Sequence, residues 1–333
     1  MEKIDLKMKA IILAAGKSTR TYPLTLNIPK PLLKIANKPI LERNLDSLAG
    51  FIDEAVIVVG YKKEIIQEHF GDNYNGIKIK YVEQKEQLGT GHALFQASFV
   101  KGRFFVMMGD DLYSRYDIER LAKYDYAVLG IKVSEPSSFG VFVLDKGLVK
   151  DVFEKPKKFV GDIANCALYV FDGGIFRVLS GLKKTERGEY ELTDGLKELA
   201  QIKDVNCVIA KNWFPIAYPW DVLKADLTLR KKKNSIGKNT LIEGKVENCS
   251  IGDNCIIKGK VKNSIVYDNS IIEKNSSVKD SVIGCNVRFK GAIKSSKNIV
   301  GDNSILENVE ISSGVVIWQD KKISGKAIKE DVI

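Results

Sequence analysis

From Asn234 to the end, the chain repeats a short unit. SIGKNT, LIEGKV, SIGDNCI, SIVYDNS, IIEKNSS, SVIGCNV and IVGDNSI follow one another, with apolar residues six apart at Ile236 and Ile242, Ile251 and Ile257, and Ile265 and Ile271. A unit this short has room for one strand and one turn and cannot bury its apolar side alone. Stacking the units on one another does bury it, which predicts a parallel β-helix. Asn and Gly between the units supply the left-handed turn conformations that its corners need. A β-sandwich would require longer alternating strands, and none is present. The expected domain is 234–333.

Before Asn234 the pattern differs. Short apolar strands at KAIILA (9–14), EAVIVVG (54–60), IKIKYVE (77–83), RFFVMMGD (103–110) and DYAVLGIKV (125–133) alternate with helical stretches at 40–49, 62–70, 90–99 and 117–123. Alternation with near-continuous apolar strands predicts a Rossmann-like α/β domain, 1–233, with a mostly parallel sheet covered on both faces. Ligands of such sheets gather at the carboxyl ends of the strands, where Gly16 and Asp110 fall. The leading MEKIDLK is polar and unpatterned, so Met8 is the expected start of the folded part.

Composition narrows the function. The net charge is +10, of which only +3 falls from Asn234 onward. Its one dense run, Arg230-Lys231-Lys232-Lys233, reads as a helix end, where cations are favoured. A nucleic-acid binder would concentrate basic residues on one face with interleaved aromatics, so no such partner is expected. No apolar run is long enough to span a membrane, and no charged-then-apolar leader is expected. Five cysteines without a Cys-x-x-Cys indicate neither a disulfide framework nor a zinc site, which suits a reduced, cytoplasmic protein.

The stretch IILAAGKSTRTYPLT (11–25) contains the Gly-Lys-Ser that closes a P-loop. That motif requires a glycine five positions before its Gly-Lys-Ser, and Ile11 occupies the place. What remains is a strand, a turn of small residues (Ala14, Ala15, Gly16), and then Lys17, Ser18, Thr19 and Arg20. A small-residue turn after a strand lets a phosphate approach the backbone, and cations beside it fit that use.

LAAGKSTRTYPLT with IPKPLLKI (28–35), QKEQLGTGHA (84–93), MGDD (108–111), SSFGVF (137–142), EKP (154–156), NCALYVF (165–171), ELTD (191–194) and YPWD (218–221) occur in an order that resembles the sugar-1-phosphate nucleotidylyltransferases. The repeats after Asn234 are similar to the left-handed β-helix that ends many members. The resemblance implies that a sugar phosphate oxygen attacks the α-phosphorus of a nucleoside triphosphate in line and releases pyrophosphate. Two polyanions must meet, so such a site needs cations and a divalent metal, expected as Mg²⁺, more than a nucleophile.

The matched motifs assign roles. Arg20 and Lys30 would neutralise the triphosphate and the transition state, Lys30 being held between Pro29 and Pro31. Leu13, Ala14, Ala15, Gly16 and Lys17 would line the phosphate loop. Gln84, Gly89 and Thr90 would read the base, in wording closer to uridylyl- and thymidylyl-transferring members than to guanylyl ones. His92 is expected to face its helix rather than to catalyse. Gly140, Glu154, Lys155 and Asn165 would hold the sugar phosphate, and Asp110 and Asp221 the metal, with Asp111 as the neighbour to test. Read without the family, Asp221 is a helix N-cap residue and Asp110 a strand-end turn residue. Two departures from the family stand out: Ser18 and Ala167 replace customary glycines.

The expected substrates are UTP or dTTP with glucose 1-phosphate or N-acetylglucosamine 1-phosphate. A guanylyl- or adenylyl-transferring enzyme and an inactive regulatory subunit are the alternatives. Some relatives acetylate sugars on their β-helix with a histidine. The only histidines here are His69 and His92, so the β-helix is expected to be structural and to join copies of the chain into a homo-oligomer.

Overall fold

The computed structural model describes residues 8–333. MEKIDLK, and with it the start of the expected 1–233 domain, lies outside the described residues. The fold forms two compact units, residues 8–16 with 41–215 and residues 17–40 with 216–333. The units follow contacts and not chain order.

The first unit is built on a ten-stranded sheet: β1 (Met8–Ala14), β2 (Ile52–Val59), β3 (Asn73–Tyr74), β4 (Ile77–Glu83), β5 (Phe104–Met108), β6 (Ala127–Lys132), β7 (Gly140–Asp145), β8 (Leu148–Glu154), β9 (Ile163–Phe171) and β10 (Asn206–Ile209). Their order across the sheet is β7-β8-β10-β6-β9-β5-β1-β2-β4-β3. The run β4-β2-β1-β5 is parallel, as is the pair β6-β10. β9 instead runs antiparallel between β5 and β6. β7 and β8 form a hairpin whose two loop residues, Lys146 and Gly147, have φ of 48° and 84°, the positive values of the turn that matches strand twist. Strand–helix alternation therefore describes the β1–β5 half of the sheet, and the sugar-side motifs sit on its mixed half.

In β1 all residues but Lys9 are buried, as a strand covered on both faces should be. The helices of this unit include α1 (Ile40–Leu48), α2 (Lys63–Phe70), α3 (Thr90–Phe95), α4 (Arg115–Leu121), α5 (Gly174–Ser180) and α6 (Leu192–Ala200). Residues of α3, α5 and α6 share one apolar core with Ile11, Val58, Phe104 and Val106.

The second unit is a three-sided parallel β-helix with α7 (Pro219–Arg230) and segment 17–40 against it. Three sheets of six parallel strands each begin at Ser235, Leu241 and Lys245. Strands starting six residues apart along the chain open each coil. The other two steps vary between four and six residues, so equivalent residues recur 15 apart in the first coils and 17 apart later. Those uneven steps are the slips in the repeat. Asn239, Asn254, Asn269, Asn286 and Asn303 occupy one corner, all with φ between 54° and 60°. Their side chains bond along the stack, Asn239 to Asn254 and Asn286 to Asn303. Inside run Ile251, Ile257, Val266, Ile272, Ile283 and Val300, all fully buried. Each contributes about 1.5–3 kcal/mol of apolar burial.

Candidate active site

In the first unit the chain turns from one side of β1 to the other between β4 and β5. The crevice at such a switch point, beyond the carboxyl ends of β1 and β5, is where open α/β sheets bind ligands. The loops there are pinned. Gly109 N–H donates to Leu13 O (2.8 Å), Tyr61 N–H to Ala15 O (3.0 Å), and Gln87 Nε2 to the same Ala15 O (2.9 Å). Buried Asn44 on α1 donates from Nδ2 to Asp111 O (2.9 Å) and so braces the turn that carries Asp110. A methyl group on Gly109 would meet Ala14 Cβ at 3.1 Å, so glycine is what lets the two strand ends touch. Leu13, Ala14 and Ala15 are buried, while Gly16 is exposed.

Gln84 follows β4, its N–H bonded to Val59 O (2.8 Å) and its side chain buried. Its Nε2 donates to Gly89 O (3.0 Å) and lies 3.1 Å from His92 Nδ1. The amide's donors therefore brace the 84–92 turn. Gly89 has φ of 98°, and a methyl there would stand 2.6 Å from Tyr190 O. The turn is fastened to the segment before α6: Gly91 N–H donates to Tyr190 O (2.8 Å), Tyr190 N–H to Leu88 O (2.8 Å), and Leu192 N–H to Thr90 Oγ1 (3.1 Å). Thr90 and His92 thus act within the turn, His92 being held by Gln84 and Gln96.

The four sugar-side residues named from the sequence fall on adjoining strands. Gly140 pairs with Glu154 across the β7–β8 hairpin. A methyl on Gly140 would lie 3.0 Å from Glu154 Oε2, 3.2 Å from Thr193 Cγ2 and 3.5 Å from Asn165 Cβ. Asn165, 9 % exposed, donates from Nδ2 to Tyr169 OH (2.8 Å) and accepts Ala167 N–H at Oδ1 (2.8 Å). Lys155 is half-exposed, its Nζ 3.9 Å from Glu154 Oε1.

Sequence reasoning passed over Thr193, Glu191 and Arg187, although ELTD was quoted. Arg187 pairs with Glu191 at 2.9 Å. Burial, the Glu189 bond and the charges of Glu154 and Glu189 outweigh Arg187 and push the Glu191 carboxyl up to about 7. Burial also raises Glu154, against the pull of Lys155 and Arg187. The signal available in the sequence was the acidic repetition in ERGEYELTD.

Arg20, Lys30 and Asp221 belong to the second unit. Arg20 is exposed, with its guanidinium 5.9 Å over the Tyr218 ring at the start of α7. Lys30 is 6 % exposed in a 3-10 turn, Lys30–Leu32, entered through Pro29. Tyr218 is the N-cap of α7, and Asp221 is its third residue rather than the cap itself. Asp221 Oδ2 accepts Ala217 N–H (2.9 Å) and Tyr218 N–H (2.7 Å), a reach-back that satisfies helix-end donors. Its Oδ1 takes no hydrogen bond among the described residues.

Among the described residues no three His, Cys, Asp or Glu side chains converge as a metal cage. Asp110, in the first unit, and Asp221, in the second, each offer hard carboxylate oxygen. Such oxygen is the donor type that a small divalent cation takes from one or two carboxylates while filling its remaining positions from phosphate and water.

A family model described as nucleotidyl transferase matches residues 9–232. The Bifunctional protein GlmU of Methanococcus maripaludis is 41% identical over 246 residues, covering 72% of this chain and 58% of the relative. The chain thus spans less than two thirds of that relative's length. A bifunctional sugar-1-phosphate nucleotidylyltransferase/acetyltransferase of Sulfurisphaera tokodaii is 31% identical and covers 98% of this chain. Among solved structures, a UDP-glucose pyrophosphorylase complexed with UDP-glucose superposes with a TM-score of 0.62 at 25% identity, over 67% of this chain and 98% of the other.

Proposed function

Because the chain belongs to the nucleotidyl transferase family, we propose that it joins a nucleoside triphosphate, UTP or dTTP, to glucose 1-phosphate or N-acetylglucosamine 1-phosphate. The products are a nucleotide sugar and pyrophosphate. The observation that carries this reading is the pairing within one unit of a pinned, small-residue switch-point crevice with the Gly140, Glu154, Asn165 and Thr193 cluster. The first suits a nucleotide and the second a polyhydroxylated ring.

The chemistry is a direct displacement. A phosphate oxygen of the sugar phosphate attacks the α-phosphorus, that P–O bond forms, and the bond to the bridging oxygen of pyrophosphate breaks. The nucleophile is already an anion, so no general base is needed. Lys30, buried and bracketed by prolines, stabilises charge at the α-phosphate, and Arg20 offers its planar fork to the departing pyrophosphate. Lys17 supports the loop of Leu13, Ala14, Ala15 and Gly16 around the phosphates. Asp110 and Asp221 would hold the divalent cation, read as Mg²⁺, which when bound supplies Lewis-acid neutralisation of phosphate charge. Gln84 has its amide donors engaged within the turn, so it meets the base through Oε1. An acceptor there pairs with the ring N–H of uracil or thymine, and adenine lacks that donor. Glu154 and Asn165 bind sugar hydroxyls, Gly140 leaves room for the ring, and Lys155 meets the sugar phosphate.

We assign the β-helix no acetyl transfer, since both histidines precede it, and take it as the surface through which copies of the chain associate. The five free cysteines suit a reducing cytoplasm.

Asp110→Asn is the direct test of the site. Pyrophosphate release from UTP and glucose 1-phosphate falls by about 100-fold or more with an unchanged circular dichroism spectrum and thermal transition. Unchanged turnover removes Asp110 from the metal role.

A further inference from the structure

The segment that carries Arg20 and Lys30 has little regular structure of its own to hold it. Between residues 17 and 39 there are only two 3-10 turns and two strands of two residues. Such a stretch, with few ladder bonds, opens locally at low cost unless something outside it fixes it.

The β-helix supplies that fixing, coil after coil. Asn37 Nδ2 donates to Ser235 O (3.0 Å) in the first coil and Ile251 O (2.7 Å) in the second. Lys34 Nζ reaches Asp268 Oδ2 at 2.6 Å and Asp253 Oδ2 at 3.8 Å, and Tyr267 OH donates to Lys34 O (2.9 Å). Asn27 Nδ2 donates to Asp302 Oδ2 (3.0 Å). Tyr22 meets Trp318 edge to face, with ring centroids 6.0 Å apart. The segment therefore runs along one flank of the stack.

The aspartates do two jobs with their two oxygens. Asp268 Oδ1 accepts Asp253 N–H (2.9 Å) and Asp302 Oδ1 accepts Cys285 N–H (2.8 Å), which ties each coil to the one before. The Oδ2 atoms face outward and take Lys34 and Asn27. Asp226, fully buried on α7, joins the remaining parts. Its Oδ2 accepts Ala36 N–H (2.7 Å) and Ser250 Oγ–H (2.6 Å), and its Oδ1 accepts Arg230 Nε–H (2.6 Å). Burial lowers the Lys34 pKa, but the Asp268 bond and the Asp268 and Asp253 charges outweigh it, so the ammonium stands above its ordinary value.

We propose that the β-helix is the positioning frame for the phosphate-handling residues, with Asp268, Asp302 and Asp226 as positioning residues that act through Lys34, Asn27 and Ala36 on the segment carrying Arg20 and Lys30. The inference rests on the function proposed above for those two cations. It gives the C-terminal domain a task within each single chain, separate from any role in joining chains.

The test uses the full chain with Lys34→Met, Asp268→Asn, the double variant and Lys34→Arg. Misplacing a charge by an ångström lowers turnover steeply, so kcat for pyrophosphate release falls about tenfold or more in Lys34→Met and in Asp268→Asn. The KM for the sugar phosphate holds, because Gly140, Glu154 and Asn165 belong to the other unit. The double variant is no worse than the worse single one, and Lys34→Arg recovers most of the rate. Trypsin cleavage after the exposed Lys17 and Arg20 accelerates in the impaired variants. Asn27→Ala, at the far end of the segment, is the second handle should a Lys34 or Asp268 variant fail to fold. Folded variants with wild-type kcat and wild-type cleavage rates overturn the proposal. If the wild-type chain turns over no substrate pair, the proposed function falls, and unchanged cleavage then overturns the positioning role independently.

Discussion

Ser18 and Ala167, the two residues that replace customary family glycines, both sit at left-handed backbone angles, with φ of 52° and 54°. Glycine reaches that region freely, and an L-residue pays about 1–2 kcal/mol to stay there. Ser18 O recovers some of this by accepting from the Thr21 and Thr25 hydroxyls (2.7 and 3.0 Å). Ala167→Gly should accordingly raise stability by about 0.5–1 kcal/mol in urea melts, after allowance for the looser unfolded chain. Glu191 makes a second residue-scale prediction. Its folded-state value of about 7 stands above the ordinary 4.5, raised by burial and by Glu189 and Glu154 against Arg187. Between those two values the native state holds more protons than the unfolded one, so stability falls as pH rises through that window. Glu191→Gln removes that part of the slope in thermal melts taken from pH 4.5 to 7.5. The same variant flattens a rise in the KM for the anionic sugar phosphate above about pH 7, where wild-type Glu191 gains a negative charge beside the pocket.

At the scale of elements, the turn 84–92 and the segment 185–192 behave as one piece, because Leu88, Gly89, Thr90 and Gly91 are bonded to or packed on Tyr190 and Leu192. Gly89→Ala forces a side chain into φ 98° and against Tyr190 O. It should cost about 1–3 kcal/mol of stability and raise the KM for both substrates, measured by denaturation and steady-state kinetics. Much of this architecture was legible in the chain. Strands β1, β2, β4, β5 and β6 announce themselves as apolar runs, and the corner asparagines of the β-helix mark positions of positive φ. The motif order led to Gly140, Glu154 and Asn165, which the structure brings within a few ångströms of each other. What was not legible is long-range pairing without periodicity. Nothing in the residues around Lys34 names Asp268, and nothing near Leu88 names Tyr190, since in each pair at least one partner lies on an irregular segment. The antiparallel course of β9 was likewise hidden, because a buried strand reads the same in either direction.

For the molecule as a whole, the β-helix is both core and frame. Its interior is lined mainly by Ile and Val, with Cys249, Cys255, Phe289 and Leu306 among them, so Ile257→Ala should destabilise by about 2–5 kcal/mol in thermal or urea unfolding and leave the pockets' residues untouched. Light scattering on the eluting protein should return a multiple of the chain mass if the β-helix also joins copies, and a monomer mass would remove that role. The central claim is the transfer itself, and it is tested by pyrophosphate release with Mg²⁺ across UTP, dTTP, GTP and ATP, each with and without a panel of hexose 1-phosphates. Release with UTP or dTTP that depends on glucose 1-phosphate or N-acetylglucosamine 1-phosphate is the predicted result. A folded protein that releases no pyrophosphate with any pair contradicts it.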